Sequence, residues 1–176
     1  MSHQLIGIRA GLEVAGEPAL LTDSMVLPPG TGRGPGCVRA APGLAFVMSA
    51  RLAGPGVVMP SAMAAVALVY GAVWLESGGG QVAWGPVGRP PAALDLTLEA
   101  CLVELNGQVV DSGTGAAVMG HPGQALAAAA NELGRRGLAI EPGWLVLACG
   151  LTEAATVPSG SPLAVHFTTL GSIHLA

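Results

Sequence analysis

Apolar and polar positions alternate along this chain in short runs, with Gly and Pro between them. LIGIRA near the N-terminus has strand length, and WLVLAC (144–149) reads as a buried strand. Leu96–Leu105 and Gln108–Ser112 flank Asn106-Gly107, the dipeptide that fits a two-residue hairpin turn, so this region is expected to be a β-hairpin. Two helices are expected. One covers Ser61–Glu76, after Pro60. The other covers Pro122–Arg136, with Pro122 at its first position, Arg135 and Arg136 in its last turn and Gly137 as its stop. Val165–Thr168 and Ile173–Leu175, around Leu170-Gly171-Ser172, finish a sheet.

Composition narrows the possible functions. The 176 residues are 51% hydrophobic and 10% charged, with a formal net charge of -4. This is enough chain for one domain with a real core, and 1–176 is read as a single domain. All seven basic residues are arginine, so lysine-based Schiff-base or proton-transfer chemistry has no residue to perform it. Without a basic cluster, neither nucleic acid nor an anionic membrane surface is an expected partner. The apolar stretch Val57–Leu75 is broken by Pro60 and Ser61 and is read as a buried core helix rather than a membrane span. MSHQLIGIR lacks the pattern of a signal peptide, and Cys37, Cys101 and Cys149 form no CxxC pair. A reducing, cytoplasmic setting is expected.

Longer motifs carry a family likeness. NGQVVDSGTGAAVMGHP, ALAAAANEL, EPGWLVLACGLTEAATV and the closing LGSIHLA follow one another as hairpin, turn, helix, strand and loop. With Gly54-Pro55-Gly56-Val57, they resemble the 2-keto-4-pentenoate hydratase and 4-oxalocrotonate decarboxylase family of the fumarylacetoacetate hydrolase superfamily. The resemblance implies an α+β, mainly β fold: a rolled mixed sheet with main helices near 61–76 and 122–136. It also implies that the family's N-terminal helical segment is missing here.

The resemblance further implies what has been replaced. The family's lysine falls on Arg9, which is permanently charged: it can anchor an anion, or simply be a surface strand charge, but it is a poor proton shuttle. Two metal-binding glutamates fall on Ala41 and Gly43, beside a retained Arg39, and the third falls on Val73. None of these three can ligate a hard cation. Glu76, nearly one helical turn beyond Val73, either approaches the same space or ends the helix in solvent. A polar segment that closes over substrate in relatives is replaced by Gly78-Gly79-Gly80. The family's GSLT retains Thr152 but has Gly150 in place of its serine. A tryptophan of the second helix falls on Ala128, opening space beside the pocket. His121 is either a turn residue in solvent or a ligand-facing proton carrier.

No cofactor and no metal are expected. One reading is a relined cavity that binds a hydrophobic keto, enol or polyene substrate and promotes its cyclisation or isomerisation, as in bacterial secondary metabolism. Arg9 and Thr152 would act on the substrate, and Arg39, Ala41, Gly43, Tyr70, Val73 and Trp74 would bind it. The alternative is a noncatalytic partner subunit or ligand-binding module. In either case a homo-oligomer is expected, because so apolar a chain has strands to cover.

Overall fold

The computed structural model describes residues 5–10, 19–27, 37–76 and 78–176. The larger sheet has seven strands. Its path is β2 (Ala19–Thr22), β1 (Leu5–Ala10), β8 (Leu145–Cys149), β3 (Val38–Met48), β4 (Val66–Glu76) and β5 (Gln81–Arg89), with β9 (Ala155–Val157) paired to the start of β3. Only β1 and β8 run parallel; the other neighbours are antiparallel, so the sheet is mixed. A second sheet, β11 (Gly171–Leu175), β10 (Leu163–Phe167), β6 (Ala100–Leu105) and β7 (Gln108–Thr114), is wholly antiparallel. The described helices are α1 (Met59–Ala64) and α2 (Pro122–Arg135). The expected mainly β, mixed-sheet architecture is what the chain forms, although neither sheet closes on itself.

One expected helix is largely strand. After α1, the chain enters an eleven-residue β4 at Val66 instead of remaining helical to Glu76. The run VALVYGAVWL is apolar throughout, as a strand buried on both faces should be, so periodicity could not separate strand from helix. Its Val, Tyr and Trp residues favour a pleated surface, and β3 and β5 satisfy its backbone on both sides. The hairpin arm expected from Leu96 begins at Ala100, because 96–98 form a turn. Asn106 and Gly107 both have positive φ, 53° and 79°, as a type I′ hairpin turn requires. Among the described residues no helix is long and apolar enough to cross a membrane.

Pro42 lies in the middle of β3, where a missing N–H should break a ladder. Here β3 changes partners: β9 pairs with 38–40 and β8 with 43–47. Pro42 occupies the gap, and its carbonyl accepts from the N–H groups of Gly150 (3.2 Å) and Leu151 (3.4 Å) in the crossing loop.

The main core lies between the two sheets and α2. It contains Leu44, Phe46, Met48, Val73, Leu75, Val103, Leu126, Leu133, Val165 and Phe167. Phe167 of the small sheet lies flat on Gly71, where an added Cβ would come within 2.5 Å of its ring. Helix α2 is fastened to the chain before α1 by Asn131. Its amide oxygen accepts from Val57 N–H (2.9 Å) and its amide nitrogen donates to Val57 C=O (2.8 Å). Gly54 and Gly134 meet at the same place, where neither backbone leaves room for a Cβ. Ala128 faces solvent on the outer side of α2, so it opens no space beside a pocket.

Candidate functional site

The other face of the large sheet carries a second, smaller apolar cluster: Leu21, Ala45, Ala72, Trp74, Val82, Leu145, Leu147 and Cys149, flanked by Met25, Val26, Ala41, Val47, Tyr70 and Trp84. Strand register arranges it in rows. Ala41 pairs with Trp74, which pairs with Val82. Cys149 pairs with Gly43, which pairs with Ala72, which pairs with Trp84. Leu147 pairs with Ala45, which pairs with Tyr70, which pairs with Gly88. The central strands β3 and β4 therefore contribute Ala41, Gly43, Ala45 and Ala72, while bulky aromatic side chains rise from β4 and β5. Tyr70 and Trp84 pack with ring centroids 5.1 Å apart and planes tilted by 59°. Gly80 and Gly88 make room for them: an added Cβ would meet the Trp74 ring at 2.1 Å and the Tyr70 ring at 2.3 Å.

The structure brings together Ala41, Gly43, Tyr70 and Trp74. It separates Val73 from them. Val73 pairs with Pro42 and is fully buried in the main core on the opposite face. The β4 residues that share a face with Ala41 and Gly43 are Ala72 and Trp74. Because β4 is a strand, Glu76 also points away from Val73; it pairs in register with Arg39 and forms an exposed ion pair at 3.7 Å. Arg39 thus sits in the same column as Ala41 and Gly43, at the solvent edge. Arg9 is in register with Leu147 and with Ala19. That assigns it to the Leu147–Ala45–Tyr70 row, while its side chain lies outside the described residues. Thr152 lies in the loop after β8, half-buried, with its hydroxyl donating to the Glu153 carbonyl at 2.9 Å. It packs near Gly113 of β7 and does not join the rows. His121 caps α2: its Nδ1 accepts from Gly123 N–H at 2.9 Å, a structural role that accounts for its position.

The donor set does not fit a divalent metal. Ala41, Gly43, Ala72 and Trp74 present no oxygen to the shared face. A side chain at position 43 would place its Cβ 2.5 Å from the Ala148 carbonyl oxygen, so β8 occupies the space a ligand there would need. Among the described residues no group of three or more His, Cys, Asp or Glu could hold a metal ion. Two residues escaped sequence reasoning. Trp84 stands in the Gly43 row, and its indole Nε1 is buried without a hydrogen-bond partner among the described residues. Glu99 is the one buried charged residue among those described, 2% exposed. An alternation count on Gln81–Pro86 assigns Trp84 the face opposite Ala83 and would have found the first; nothing local marks Glu99.

No family model matches the chain. It is 40% identical over 80 residues to the 4-oxalocrotonate decarboxylase of Pseudomonas putida, covering 46% of this chain and 30% of that protein. It is 34% identical over 87 residues to the 2-keto-4-pentenoate hydratase of Burkholderia vietnamiensis, covering 48% and 33%. The matched segment thus spans about a third of the length of these relatives. Among solved structures, 4-oxalocrotonate decarboxylase from Pseudomonas putida G7, complexed with calcium and acetate, superposes with a TM-score of 0.89 at 25% identity, over 99% of this chain and 78% of that one. The fold alone is shared with fumarylacetoacetate hydrolase from Exiguobacterium antarcticum, at a TM-score of 0.73 and 14% identity over 98% and 74%. The sheet order and these matches together support a relationship to the 4-oxalocrotonate decarboxylase and 2-keto-4-pentenoate hydratase family, with the fold that fumarylacetoacetate hydrolase also has.

Proposed function

We propose that this protein is a metal-independent member of its family that binds a largely hydrophobic keto, enol or polyene substrate on the Ala41–Gly43–Trp74 face and promotes its cyclisation or isomerisation. The observation that carries this reading is a floor of small residues beside three aromatic rings, at Ala41 and Gly43 where the family resemblance implies metal ligands. Such a surface offers shape and apolar contact instead of charge. Reactions whose barrier is largely conformational need little else. Holding reacting atoms in a near-attack geometry supplies up to about 7–11 kcal/mol. Arg9, on β1 and in register with Leu147, is the candidate to meet an oxygen at the far end of a longer substrate. Thr152 has no part in this reading, since its hydroxyl is engaged by its neighbour.

The test is a tryptophan-fluorescence titration with hydrophobic enone and polyene probes in excess chelator. Micromolar binding that persists in chelator and is abolished by Ala41→Phe, with an unchanged melting temperature, is the expected result. Binding that needs a divalent ion would overturn it.

A second reading, a noncatalytic partner subunit, draws on a different surface. Leu98 (68% exposed), Leu102, Val109 and Val110 are apolar and open to solvent on and beside the β6–β7 hairpin, and β7 is a sheet edge. Homo-oligomerisation through that hairpin is compatible with either reading. Sedimentation of the parent and a Val109→Lys/Val110→Glu double variant tests it: an oligomer that becomes monomeric supports the interface, and a monomeric parent removes it.

A further inference from the structure

The buried indole N–H of Trp84 is an oddity of the candidate face. An indole nitrogen can only donate, and a donor sealed from water without an acceptor carries an unrecovered desolvation cost. Tryptophan in apolar surroundings ordinarily finds an acceptor for this group. Trp84 Nε1 has none among the described residues, although the ring packs against the second cluster in the row of Gly43 and Ala72 and beside Tyr70. The β5 end of this face offers little to an anion, since Arg9 lies on β1, four strands away along the sheet. Its described rows consist of Ala, Gly, Leu, Val, Cys and aromatic residues, and Arg39 at the edge is already engaged by Glu76.

Resting on the ligand-binding reading above, we propose that the ligand presents an uncharged carbonyl or enol oxygen to the Trp84 indole N–H, and that Trp84 selects for that oxygen. The chemical class is a neutral conjugated ketone, aldehyde or enol with an apolar body. Carboxylates are disfavoured beside Trp84, out of reach of Arg9, because burying an anion against a single neutral donor costs more than one hydrogen bond returns. The position of Trp84 also fixes the orientation of the ligand. Its oxygen would sit at the β5 side of the face, and its hydrocarbon part would run towards half-buried Ala41, since β8 closes the space over Gly43.

The experiment compares three probes built on one trimethylcyclohexenyl ring: β-ionone, its analogue with the carbonyl replaced by methylene, and the acid in which the acetyl group of β-ionone is replaced by a carboxyl group. Each is titrated against the parent protein and Trp84→Phe, with melting temperature as the folding control. The indole 1H–15N cross-peak of Trp84 is followed in the parent. The expected result is that the parent prefers the ketone to the hydrocarbon by about 10-fold, the scale of one hydrogen bond to a neutral group. Trp84→Phe should bind both equally, and the Trp84 cross-peak should move downfield with the ketone only. Equal binding of ketone and hydrocarbon by the parent, or preference for the acid, overturns this inference and leaves the apolar-ligand reading intact. If no probe binds the parent, the apolar-ligand reading itself falls. If Trp84→Phe loses its fold, the cross-peak shift in the parent decides the matter alone.

Discussion

The Glu99 carboxylate holds Thr169 by two hydrogen bonds, accepting from its backbone N–H at 2.9 Å and from its hydroxyl at 2.7 Å. Glu99 precedes β6, and Thr169 lies in the turn between β10 and β11, so the pair ties that turn to the neighbouring strand. Buried and paired in this way, the carboxylate costs little; unpaired, either partner would be expensive.

Removing the carboxylate should therefore be felt strongly. Glu99→Ala is expected to lower unfolding free energy by about 2–4 kcal/mol, since hydrogen bonds to a charged group contribute roughly 1.5–3 each and an orphaned N–H is left behind. Glu99→Gln retains an acceptor and should cost less. Urea denaturation of both variants checks this, and a loss below about 0.5 kcal/mol for Glu99→Ala would show that water replaces the carboxylate freely.

Metal content follows from Ala41, Gly43, Ala72 and Trp74. Purified protein should hold no stoichiometric Mg²⁺ or Mn²⁺, and chelators should leave its melting temperature unchanged. It should neither hydrate 2-hydroxypenta-2,4-dienoate nor decarboxylate 4-oxalocrotonate, because neither an enolate-stabilising cation nor a lysine is available. Elemental analysis and a substrate assay test both points; one tightly bound ion per chain would mean that the donor set has been misjudged.

Gly43 is a poor position at which to fill the site. Gly43→Ala brings a methyl group against the Ala148 carbonyl, 2.5 Å away, and should destabilise the β3–β8 pairing by about 1–3 kcal/mol, with Gly43→Phe failing to fold. Ala41→Phe, one pleat away and half-buried, is the substitution expected to retain the fold. Comparing the three melting curves checks the order.

The three thiols should differ sharply. Cys37 is exposed and should react with a maleimide or disulfide reagent at pH 8, whereas Cys101 and Cys149 are buried and should react only on unfolding. Burial pushes the Cys101 thiol up from 9.0 to about 11. The folded state then keeps a proton that the unfolded chain releases first. The associated stability is complete below pH 9 and is lost as pH rises towards 11, so Cys101→Ser or Cys101→Ala should flatten the alkaline end of the stability curve. An unchanged alkaline limb would remove Cys101 as its cause.

If the apolar face is the working site, Arg9→Leu should weaken binding of a longer ligand with an oxygen at the β1 end by about 1.5–3 kcal/mol. Titration calorimetry against the parent measures it, and an unchanged affinity would restrict Arg9 to a strand charge.

Much of the fold was legible because its signals are local. Asn106-Gly107 fixed a turn, and Pro122 and Gly137 bracketed α2 to within a residue of its observed end. Val66–Glu76 was not legible, since an unbroken apolar run fits a buried helix as well as a central strand; only its partners β3 and β5 decide. That single misreading moved the site. On a helix Val73 and Glu76 share a side, whereas on a strand they oppose each other, and Trp74 takes the place given to Val73. Glu99 and Trp84 were missed for a related reason: a residue's burial and its lack or possession of a partner are properties of distant chain segments.

Helix α2 contributes no side chain to the candidate face, yet its Asn131 anchors the chain that leads into β4. By addressing both polar groups of Val57, its amide stands in for a missing strand and sets where the chain leaves for α1. Six residues of helix later, β4 departs with Tyr70 and Trp74. The aromatic walls stand downstream of that anchor but are held in register by β3 and β5. A change at Asn131 would therefore free the start of α1 while leaving Tyr70 and Trp74 in their rows.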